Sequence, residues 1–384
     1  MEISSSSSVK ILHCADFHIG AQNYYLRNKA KQRRSEILIT LEKIINICKV
    51  ENIELMLISG DLFDSNHIDN ESIKKVQSLF SQIPDTFITI CAGNHDYITS
   101  DSPYINSHWP ANVYIFGTSM EFIQVPKKDV RVWGCSFSTP YINSSLIKNI
   151  NVPNDNLINI MVMHGEFVAE NTTSKYNPIT KTNLSYSGMD YVALGHIHHS
   201  SSVHQAGRTF YAYSGCPESQ GFEETGLKGV YTGIVSKGYC NLTFRPVQYR
   251  MCITMQVDVT GLKNQDEIIQ ATYKKMADNY GENYERNIYR ITYTGTLQTS
   301  SPTDFVQTEL ALNEKIFFAL VRNYTKPDIN LEEISSEMNL KGLFVKKMLA
   351  QMENEKDTIK RTNMEKALYL GLTAFDGEVN YYEN

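Results

Sequence analysis

The chain has 384 residues, of which 42% are hydrophobic and 20% are charged, and its formal net charge at pH 7 is -6. This length is more than one hydrophobic core usually holds, so it predicts one large domain with one or two smaller ones. The acidic balance argues against a general polyanion binder, although cations concentrated on one face would still permit binding of a polyanion.

The N-terminus and the cysteines bear on the cellular compartment. Residues 1–8 contain a run of five serines and no apolar stretch long enough for a signal peptide, so they are expected to form a disordered tail. No later stretch approaches the length of a membrane span. The seven cysteines are odd in number and contain no Cys-x-x-Cys pair, so a disulfide framework and a structural zinc site are not indicated. We expect a cytoplasmic protein that does not enter the membrane.

Five short apolar runs in the first half of the chain have the length expected of buried strands. They are Val9–Cys14, Leu55–Ser59, Phe87–Cys91, Ile158–Met163 and Tyr191–Leu194. Between the first two, apolar residues recur at helical spacing from Ile37 to Cys48. Strand, helix and strand in this order predict a βαβ unit and therefore an α/β domain.

Polar motifs begin at or just after the ends of these runs. They are Asp16-x-His18, Gly60-Asp61-x-x-Asp64, Gly93-Asn94-His95-Asp96, His164 and Gly195-His196-x-His198. Open α/β sheets place their sites at the carboxyl ends of strands, so the five motifs are expected to meet. Oxygen and imidazole ligands converging from separate loops suit a pair of divalent cations, and such clusters serve phosphate-ester hydrolysis.

Each motif alone has a plainer interpretation. A single Asp-x-His is seldom a metal site, a single Gly-Asn-His-Asp is most often a turn, and His164 alone would more often be a satisfied histidine at the edge of a core. The order of all five motifs at strand ends favours the metal site.

The ordered motifs resemble the calcineurin-like metallophosphoesterases, whose core is a two-sheet β-sandwich flanked by helices. Residues 11–20, 58–64 and 213–217, followed by Phe222, Glu223 and Lys228-Gly229, are more narrowly similar to the SbcD and YhaO branch of DNA repair nucleases. This resemblance covers roughly Val9 to Pro246.

The resemblance implies the ligands of two metals. One metal is expected on Asp16, His18, Asp61 and His198, and the other on Asp61, Asn94, His164 and His196. Asp61 would bridge them, which suits a separation of about 4 Å between the cations. The family favours Mn²⁺, and the ligand set would also accept Fe²⁺, Zn²⁺ or Co²⁺.

The resemblance also assigns two residues to catalysis. His95 is expected to protonate or stabilise the leaving oxygen. Asp64 is expected to hydrogen bond His95 and to keep it oriented and charged.

His13 and His199 lie beside ligands and are expected to have structural roles. Two loops, Asn171–Ser187 and Ser214–Gly221, are expected beside the metals.

A basic segment follows His18. There is no acidic residue between Phe17 and Ser35, whereas five cations lie at the start of the predicted helix: Arg27, Lys29, Lys31, Arg33 and Arg34. Cations there oppose the helix dipole, and a DNA backbone arriving beside the metals would explain them. Of these five, Arg27, Lys29, Arg33 and Arg34 are the predicted DNA contacts. A solvated basic helix start is the alternative.

The pattern changes after Pro246. Met251–Val259 and Ile288–Tyr293 read as strands and Gln265–Tyr280 as a helix, which together predict a small α+β unit. From about Leu310 the chain is expected to be helical. The predicted domains are thus a metallophosphoesterase domain at residues 9–247, a capping domain at 248–310 and a helical region at 311–384. The last region is expected to dock an SbcC-like or YhaN-like ATPase, with a plain helical subdomain and a DNA-reading helix-turn-helix as alternatives.

These features together predict a two-metal DNA nuclease that acts with an ATPase in DNA repair. The expected activity is that of an exonuclease, endonuclease activity is left open, and so is a homodimer. The alternative on the same core is a phosphatase or cyclic-nucleotide phosphodiesterase, which would need neither the basic segment nor residues 250–384. A binding module on a degenerate fold is a third class, but such folds typically lose metal ligands and all seven are present here.

Overall fold

The computed structural model describes residues 8–147, 150–153, 155–298 and 303–375. The chain divides into two compact units, the first ending at Ile253 and the second beginning at Thr254. The predicted tail at residues 1–8 lies outside the described residues apart from Ser8. Among the helices described, none combines the length and the apolar character needed to cross a membrane.

The first unit is built from two six-stranded sheets. Its strands are β1 (Ser8–Cys14), β2 (Leu55–Ser59), β3 (Phe87–Cys91), β4 (Val113–Ile115), β5 (Glu121–Gln124), β6 (Val130–Gly134), β7 (Ile158–His164), β8 (Tyr191–Gly195), β9 (His204–Ala206), β10 (Thr209–Tyr213), β11 (Gly229–Ser236) and β12 (Tyr239–Pro246). Its helices are α1 (Ala30–Glu51), α2 (Asn70–Phe80), α3 (Pro103–Asn106) and α4 (Lys181–Ser185), and a 3-10 helix spans Tyr24–Lys29. The five predicted strands are confirmed to within one residue at each end.

Both sheets are mixed. The first has the order β12-β11-β1-β2-β3-β4, in which β1 to β4 are parallel and β11 and β12 are antiparallel additions. The second has the order β5-β6-β7-β8-β10-β9, in which β6, β7, β8 and β10 are parallel. Because parallel strands end at the same edge of a sheet, the loops after β1, β2 and β3 leave one edge together, as do those after β7 and β8.

Alternation along the strands sorts side chains into three apolar layers. One face of β1 and β2 packs with the second sheet through residues such as Ile11, Leu57 and Ile160. The opposite face of the first sheet packs on α1 and α2. The outer face of the second sheet, with Met161 and Leu194, packs on α4 and the loops around it. The prediction of a two-sheet sandwich flanked by helices is confirmed.

The second unit has its own elements. Its strands are β13 (Cys252–Asp258), β14 (Ile288–Thr294), β15 (Thr296–Leu297), β16 (Phe318–Asn323) and β17 (Lys326–Pro327). Its helices are α5 (Gln265–Tyr280), α6 (Phe305–Lys315), α7 (Leu331–Ser336), α8 (Leu340–Asn354) and α9 (Thr358–Phe375), and a 3-10 helix spans Tyr284–Arg286. The two strands and the helix predicted between residues 251 and 293 are present with nearly the predicted ends.

The expectation of a helical chain from about Leu310 is wrong over β16. This strand pairs with β14 in parallel, and the sheet order is β13-β14-β16. Phe318 and Ala319 are buried in it, so burial against the sheet decides the conformation of a segment too short to show a clear period. The predicted domain boundary at residue 310 falls inside α6. Farther on, α7, α8 and α9 surround a small apolar cluster centred on Val345, Leu368 and Leu372.

Candidate metal centre

The first predicted set of ligands comes together at the ends of β1, β2 and β8. The Nε2 atoms of His18 and His198 lie 3.1 Å apart, and His18 Nε2 lies 3.7 Å from Asp61 Oδ2. Asp16 also offers a carboxylate oxygen within 4.8 Å of both imidazoles. Ligand atoms around one cation at about 2.1 Å lie about 3 Å apart, so this spacing fits a shared ion.

The second set comes together around Asn94. The amide oxygen of Asn94 lies 2.9 Å from His164 Nε2 and 3.1 Å from His196 Nδ1. Asp61 Oδ2 lies 3.4 Å from the same His164 nitrogen. Asp61 Oδ2 thus faces both sets, while its other oxygen accepts a hydrogen bond from the backbone N–H of His95 at 3.0 Å. This is the arrangement expected of a bridging carboxylate.

Hydrogen bonds on the far side of each imidazole place a proton there, so the inner nitrogens are the ones that can carry lone pairs. His18 Nδ1 donates to Asp64 Oδ1 at 3.1 Å, and His198 Nδ1 donates to Glu224 Oε1 at 2.5 Å. A carboxylate only accepts, so each Nδ1 carries a proton, and each Nε2 presents a lone pair whenever its ring is neutral, as metal binding requires. Two lone pairs 3.1 Å apart repel unless a proton or a metal cation lies between them. The donor set therefore fits a divalent cation.

Burial and the carboxylates act in opposite directions on the pKa values here. Burial by itself would lower the pKa of His18, but the hydrogen bond to Asp64 and the charges of Asp61 and Asp16 raise it to about 9. Burial would likewise lower the pKa of His164, and Asp61 and Asp16 raise it to about 9. For His196, burial and the neighbouring His164 lower the pKa to about 3. Protons on His18 and His164 thus balance the buried carboxylates when no metal does so, and metal binding must displace them.

The backbone is strained where it carries ligands. Asp16, His18, Asp61 and His196 have φ values of 54°, 49°, 50° and 101°, a region that side-chain-bearing residues seldom adopt. Two glycines make room for the ligands themselves. A Cβ on Gly60 would lie 2.2 Å from His164 Nδ1, and one on Gly93 would lie 2.2 Å from Asp61 Oδ1. The glycines before Asp61 and Asn94 therefore allow the ligand side chains to approach the backbone closely.

His95 and Asp64 lie at the exposed rim of the cluster, with their side chains 46% and 36% exposed. His95 Nδ1 donates to the backbone carbonyl of Asp64 at 3.1 Å, whereas the Asp64 carboxylate is 4.0 Å away. The expected hydrogen bond from His95 to that carboxylate is therefore replaced by one to the Asp64 carbonyl, and the carboxylate stays at ion-pair distance. The turn after Asp61 directs the backbone carbonyl of Asp64 toward His95. The carboxylate of Asp64 therefore accepts a hydrogen bond from the predicted ligand His18 instead.

Arg33 differs from the other predicted DNA contacts. Its side chain is fully buried, and its guanidinium lies 2.6 Å from Glu218 and 3.6 Å from Glu36. A buried, paired arginine cannot reach a DNA backbone, so we assign it a structural role. Arg27 is exposed, Lys29 and Arg34 are half-buried, and Arg34 donates to the amide oxygen of Gln22 at 2.7 Å. These three remain predicted contacts.

Several residues that touch the ligands were not predicted. Glu224 bonds His198. Asp96 accepts from the backbone N–H groups of Phe63 and Gly93 and so ties two ligand loops together. Asn177 donates to the carbonyl of His164 at 2.8 Å. Asp96 belongs to the Gly-Asn-His-Asp motif. Glu224 and Asn177 belong to no recognisable motif, because the residues they contact are remote in sequence.

The two predicted loops flank the ligands, but the first is more ordered than expected. Asn171–Ser187 contains α4, buries Asn177 and Ile179, and places the ring of Tyr176 4.6 Å from that of His196. Ser214–Gly221 packs against the backbone after His198.

His13 is part of the core rather than of the ligand set. It is fully buried, with Nδ1 2.8 Å from the hydroxyl of Tyr191 and Nε2 3.1 Å from the carbonyl of Leu194. Burial lowers its pKa to about 3. The neutral ring therefore links the two sheets.

Known proteins resemble this chain over different lengths. The sequence profile described as calcineurin-like phosphoesterase matches residues 9–200, which are 192 of the 384 residues. The uncharacterized metallophosphoesterase YhaO of Bacillus subtilis (strain 168) is 24% identical over 283 residues, which cover 70% of this chain and 69% of that protein. The crystal structure of the protein TT1561 of Thermus thermophilus aligns with a TM-score of 0.38 and 9% identity, over 63% of this chain and 100% of that chain.

Proposed function

The chain belongs to the calcineurin-like phosphoesterase family, and on that premise we propose that it is a two-metal DNA nuclease that hydrolyses phosphodiester bonds in DNA repair. The observation that carries hydrolysis is the pair of ligand sets that share Asp61 Oδ2, at 3.7 Å from His18 Nε2 and 3.4 Å from His164 Nε2. The proposed metal is Mn²⁺, with Fe²⁺, Zn²⁺ and Co²⁺ as alternatives.

Each residue of the site has a proposed role in hydrolysis. Asp16, His18 and His198 would hold one divalent cation, and Asn94, His164 and His196 would hold the other, with Asp61 common to both. When bound, such cations would supply positive charge for the phosphoryl oxygens and sites for the attacking and leaving oxygens. His95 stands at the exposed rim and protonates the leaving oxygen, and the Asp64 carbonyl fixes its ring.

The choice of DNA rests on the basic segment. Between Phe17 and Ser35 the chain has no acid, and the partner seen for Arg34 is the neutral amide of Gln22. Because this segment starts directly after the ligand His18, a DNA backbone that crosses the metals would meet its cations. With Arg33 buried, the proposed contacts are Arg27, Lys29 and Arg34.

The proposed partner is an SbcC-like or YhaN-like ATPase that docks on α7 to α9. These helices and the turn between α7 and α8 leave large apolar side chains exposed, among them Met338, Leu340, Leu343 and Ile359. Exposed apolar residues on an amphipathic helix pair suit a helical partner.

A substrate panel tests the activity. Protein loaded with Mn²⁺ is incubated with single-stranded DNA, duplex DNA, a cyclic nucleotide and a phosphomonoester, beside a chelated sample and the Asp61→Ala variant. We expect metal-dependent cleavage of DNA that the variant lacks. Cleavage of the monoester alone would make the protein a phosphatase, and cleavage of the cyclic nucleotide alone would make it a cyclic-nucleotide phosphodiesterase.

A further inference from the structure

The segment from Ser214 to Lys228, here called the His198 clamp, is built around one ligand. The buried Lys228 donates from Nζ to the carbonyl of His198 at 2.8 Å, and the backbone N–H of Cys216 donates to the same carbonyl at 3.3 Å. Gly215 has a φ of 70°, and a Cβ there would lie 2.7 Å from the backbone nitrogen of Ser200. The clamp thus holds the main chain of His198 from one side.

Glu224 holds the side chain of the same residue. Its Oε1 accepts from His198 Nδ1 at 2.5 Å, and its Oε2 accepts from the backbone N–H of Gln220 at 2.8 Å and from Cys216 Sγ at 3.4 Å. Both carboxylate oxygens therefore have partners, and the side chain is only 16% exposed. These hydrogen bonds fix the orientation of the carboxylate relative to the imidazole of His198.

A buried ion pair anchors the clamp at a distance from the ligands. Glu218 and Arg33 both have fully buried side chains and lie 2.6 Å apart. Glu218 also accepts from the Thr40 hydroxyl at 2.5 Å and from the backbone N–H of Tyr249. The clamp is thereby tied to helix α1 and to the chain that follows β12.

We propose that Glu224 is a positioning residue that fixes His198 with its proton on Nδ1 and its Nε2 lone pair toward the metal, and that the Arg33–Glu218 pair holds Glu224 in place. This inference rests on the proposed two-metal function. It goes beyond the ligand set because it makes one of the two metals depend on a residue that does not touch it. An outer carboxylate on a ligating imidazole typically contributes about 10- to 100-fold to metal affinity.

The tautomer of His198 gives a direct test. The wild-type protein, with ¹⁵N-labelled histidine rings and loaded with diamagnetic Zn²⁺, is compared with Glu224→Gln and Glu224→Ala by long-range ¹H–¹⁵N spectroscopy. We expect an Nδ1–H signal for His198 in the wild type and loss of its protection from exchange in Glu224→Ala. Glu224→Gln should lie between them, because its single accepting oxygen replaces two that accept from His198 and from the Gln220 N–H. A proton on Nε2 in the wild type would overturn the proposal.

Metal binding gives the second readout. Titration calorimetry with Mn²⁺ should show that Glu224→Ala weakens one of two sites by about 10- to 100-fold, while Glu224→Gln keeps most of the affinity. Glu223→Ala is the control, since it removes the adjacent exposed carboxylate, which lies outside the ligand clusters. Two unweakened sites in Glu224→Ala would overturn the proposal.

Different results would contradict the proposed nuclease activity and the proposed role of Glu224. A wild-type protein that binds two cations but leaves DNA intact would contradict the nuclease and would still allow the Glu224 comparison. If Glu224→Ala does not fold, the tautomer of the wild type carries the test, because the proposal requires the proton of His198 on Nδ1 and a proton on Nε2 would contradict it.

Discussion

Single side chains of the metal centre differ in what supports them from outside the ligand set. His18 and His198 each donate to a carboxylate, whereas His164 Nδ1 donates to the backbone carbonyl of Ser59 at 2.9 Å. A carboxylate makes the imidazole more basic than a carbonyl does and adds charge near the cation. A metal on His18 and His198 would therefore lie in the more negative half of the centre, which also contains Asp16.

His95 is separable from metal binding, because its side chain reaches toward solvent and only its backbone touches Asp61. For His95→Ser we expect both metals to remain bound and the rate of diester cleavage to fall by roughly 10²-fold, as on loss of a general acid. The rate and the metal content are measured on the same preparation. Loss of a metal with the ring would return His95 to the ligand set.

Metal affinity should depend on pH in a defined window. The pKa values of His18 and His164 are raised from 6.5 to about 9, so the metal-free protein holds these protons at neutral pH. Because cations compete with the protons, affinity should rise with pH up to about 9, with release of protons, and should level off above it. Calorimetry in buffers of different ionisation enthalpy measures both the affinity and the released protons.

The same shifts fix the sign of stability against pH. A raised histidine pKa stabilises the metal-free fold fully below pH 6.5, and this stabilisation is lost as pH rises through about 9. The melting temperature of the chelated protein should therefore fall over that window, and the metal-loaded protein should show a smaller fall. Affinity that does not change with pH would show that neither imidazole is protonated in the metal-free site.

Helix α1 shows how one element combines a buried and an exposed cation. Arg33 lies in the interior against Glu218 and Glu36, whereas the next residue, Arg34, reaches the surface near Gln22. All five cations of the basic segment oppose the dipole of the helix in the same way. Arg33 and Arg34 nevertheless differ in burial, because successive residues of a helix point about 100° apart.

This adjacent pair makes a matched experiment. Arg33→Ala should lower the free energy of unfolding by about 3–5 kcal/mol, because it removes the cation that pairs with the fully buried carboxylate of Glu218. Arg34→Ala should change that free energy by less than about 0.5 kcal/mol and should reduce the salt dependence of DNA binding by about one charge. Denaturant unfolding and binding at several salt concentrations measure the two effects. An Arg34→Ala variant with an unchanged salt dependence would remove Arg34 from the DNA contacts.

Helices α7 to α9 share a small apolar cluster, so their role can be tested by truncation. A chain ending at Asp328 keeps β13 to β17 and removes α7 to α9, whose shared apolar cluster lies largely among themselves. We expect this chain to hydrolyse a small phosphodiester as the full chain does and to lose association with a purified SbcC-like or YhaN-like ATPase. Gel filtration of the mixed proteins measures the association. Retained association with unchanged hydrolysis would contradict docking on these helices.

The fold of the first unit could be predicted far better than the second half of the chain. Buried parallel strands are continuous apolar runs, and the five predicted here are each followed by a motif with glycine or histidine, so these five could be predicted. The other strands described in the unit and the strand order of the sheets were not predicted. The strand β16 could not, because its short run has no period of its own and its partner β14 is remote in sequence, with Ile288 opposite Phe318. The resemblance also covered the first unit and ended near Pro246.

Local sequence was enough to predict which side chains gather at the sheet edge, since strand ends and ligand types are both local properties. Only the tertiary structure decided which neighbour each of them touches. It buried Arg33, gave the Asp64 carboxylate to His18 and brought Glu224 to His198 across 26 residues. Hydrogen bonds and ion pairs depend on distances of a few ångströms between remote segments, and these distances follow from packing rather than from any local pattern.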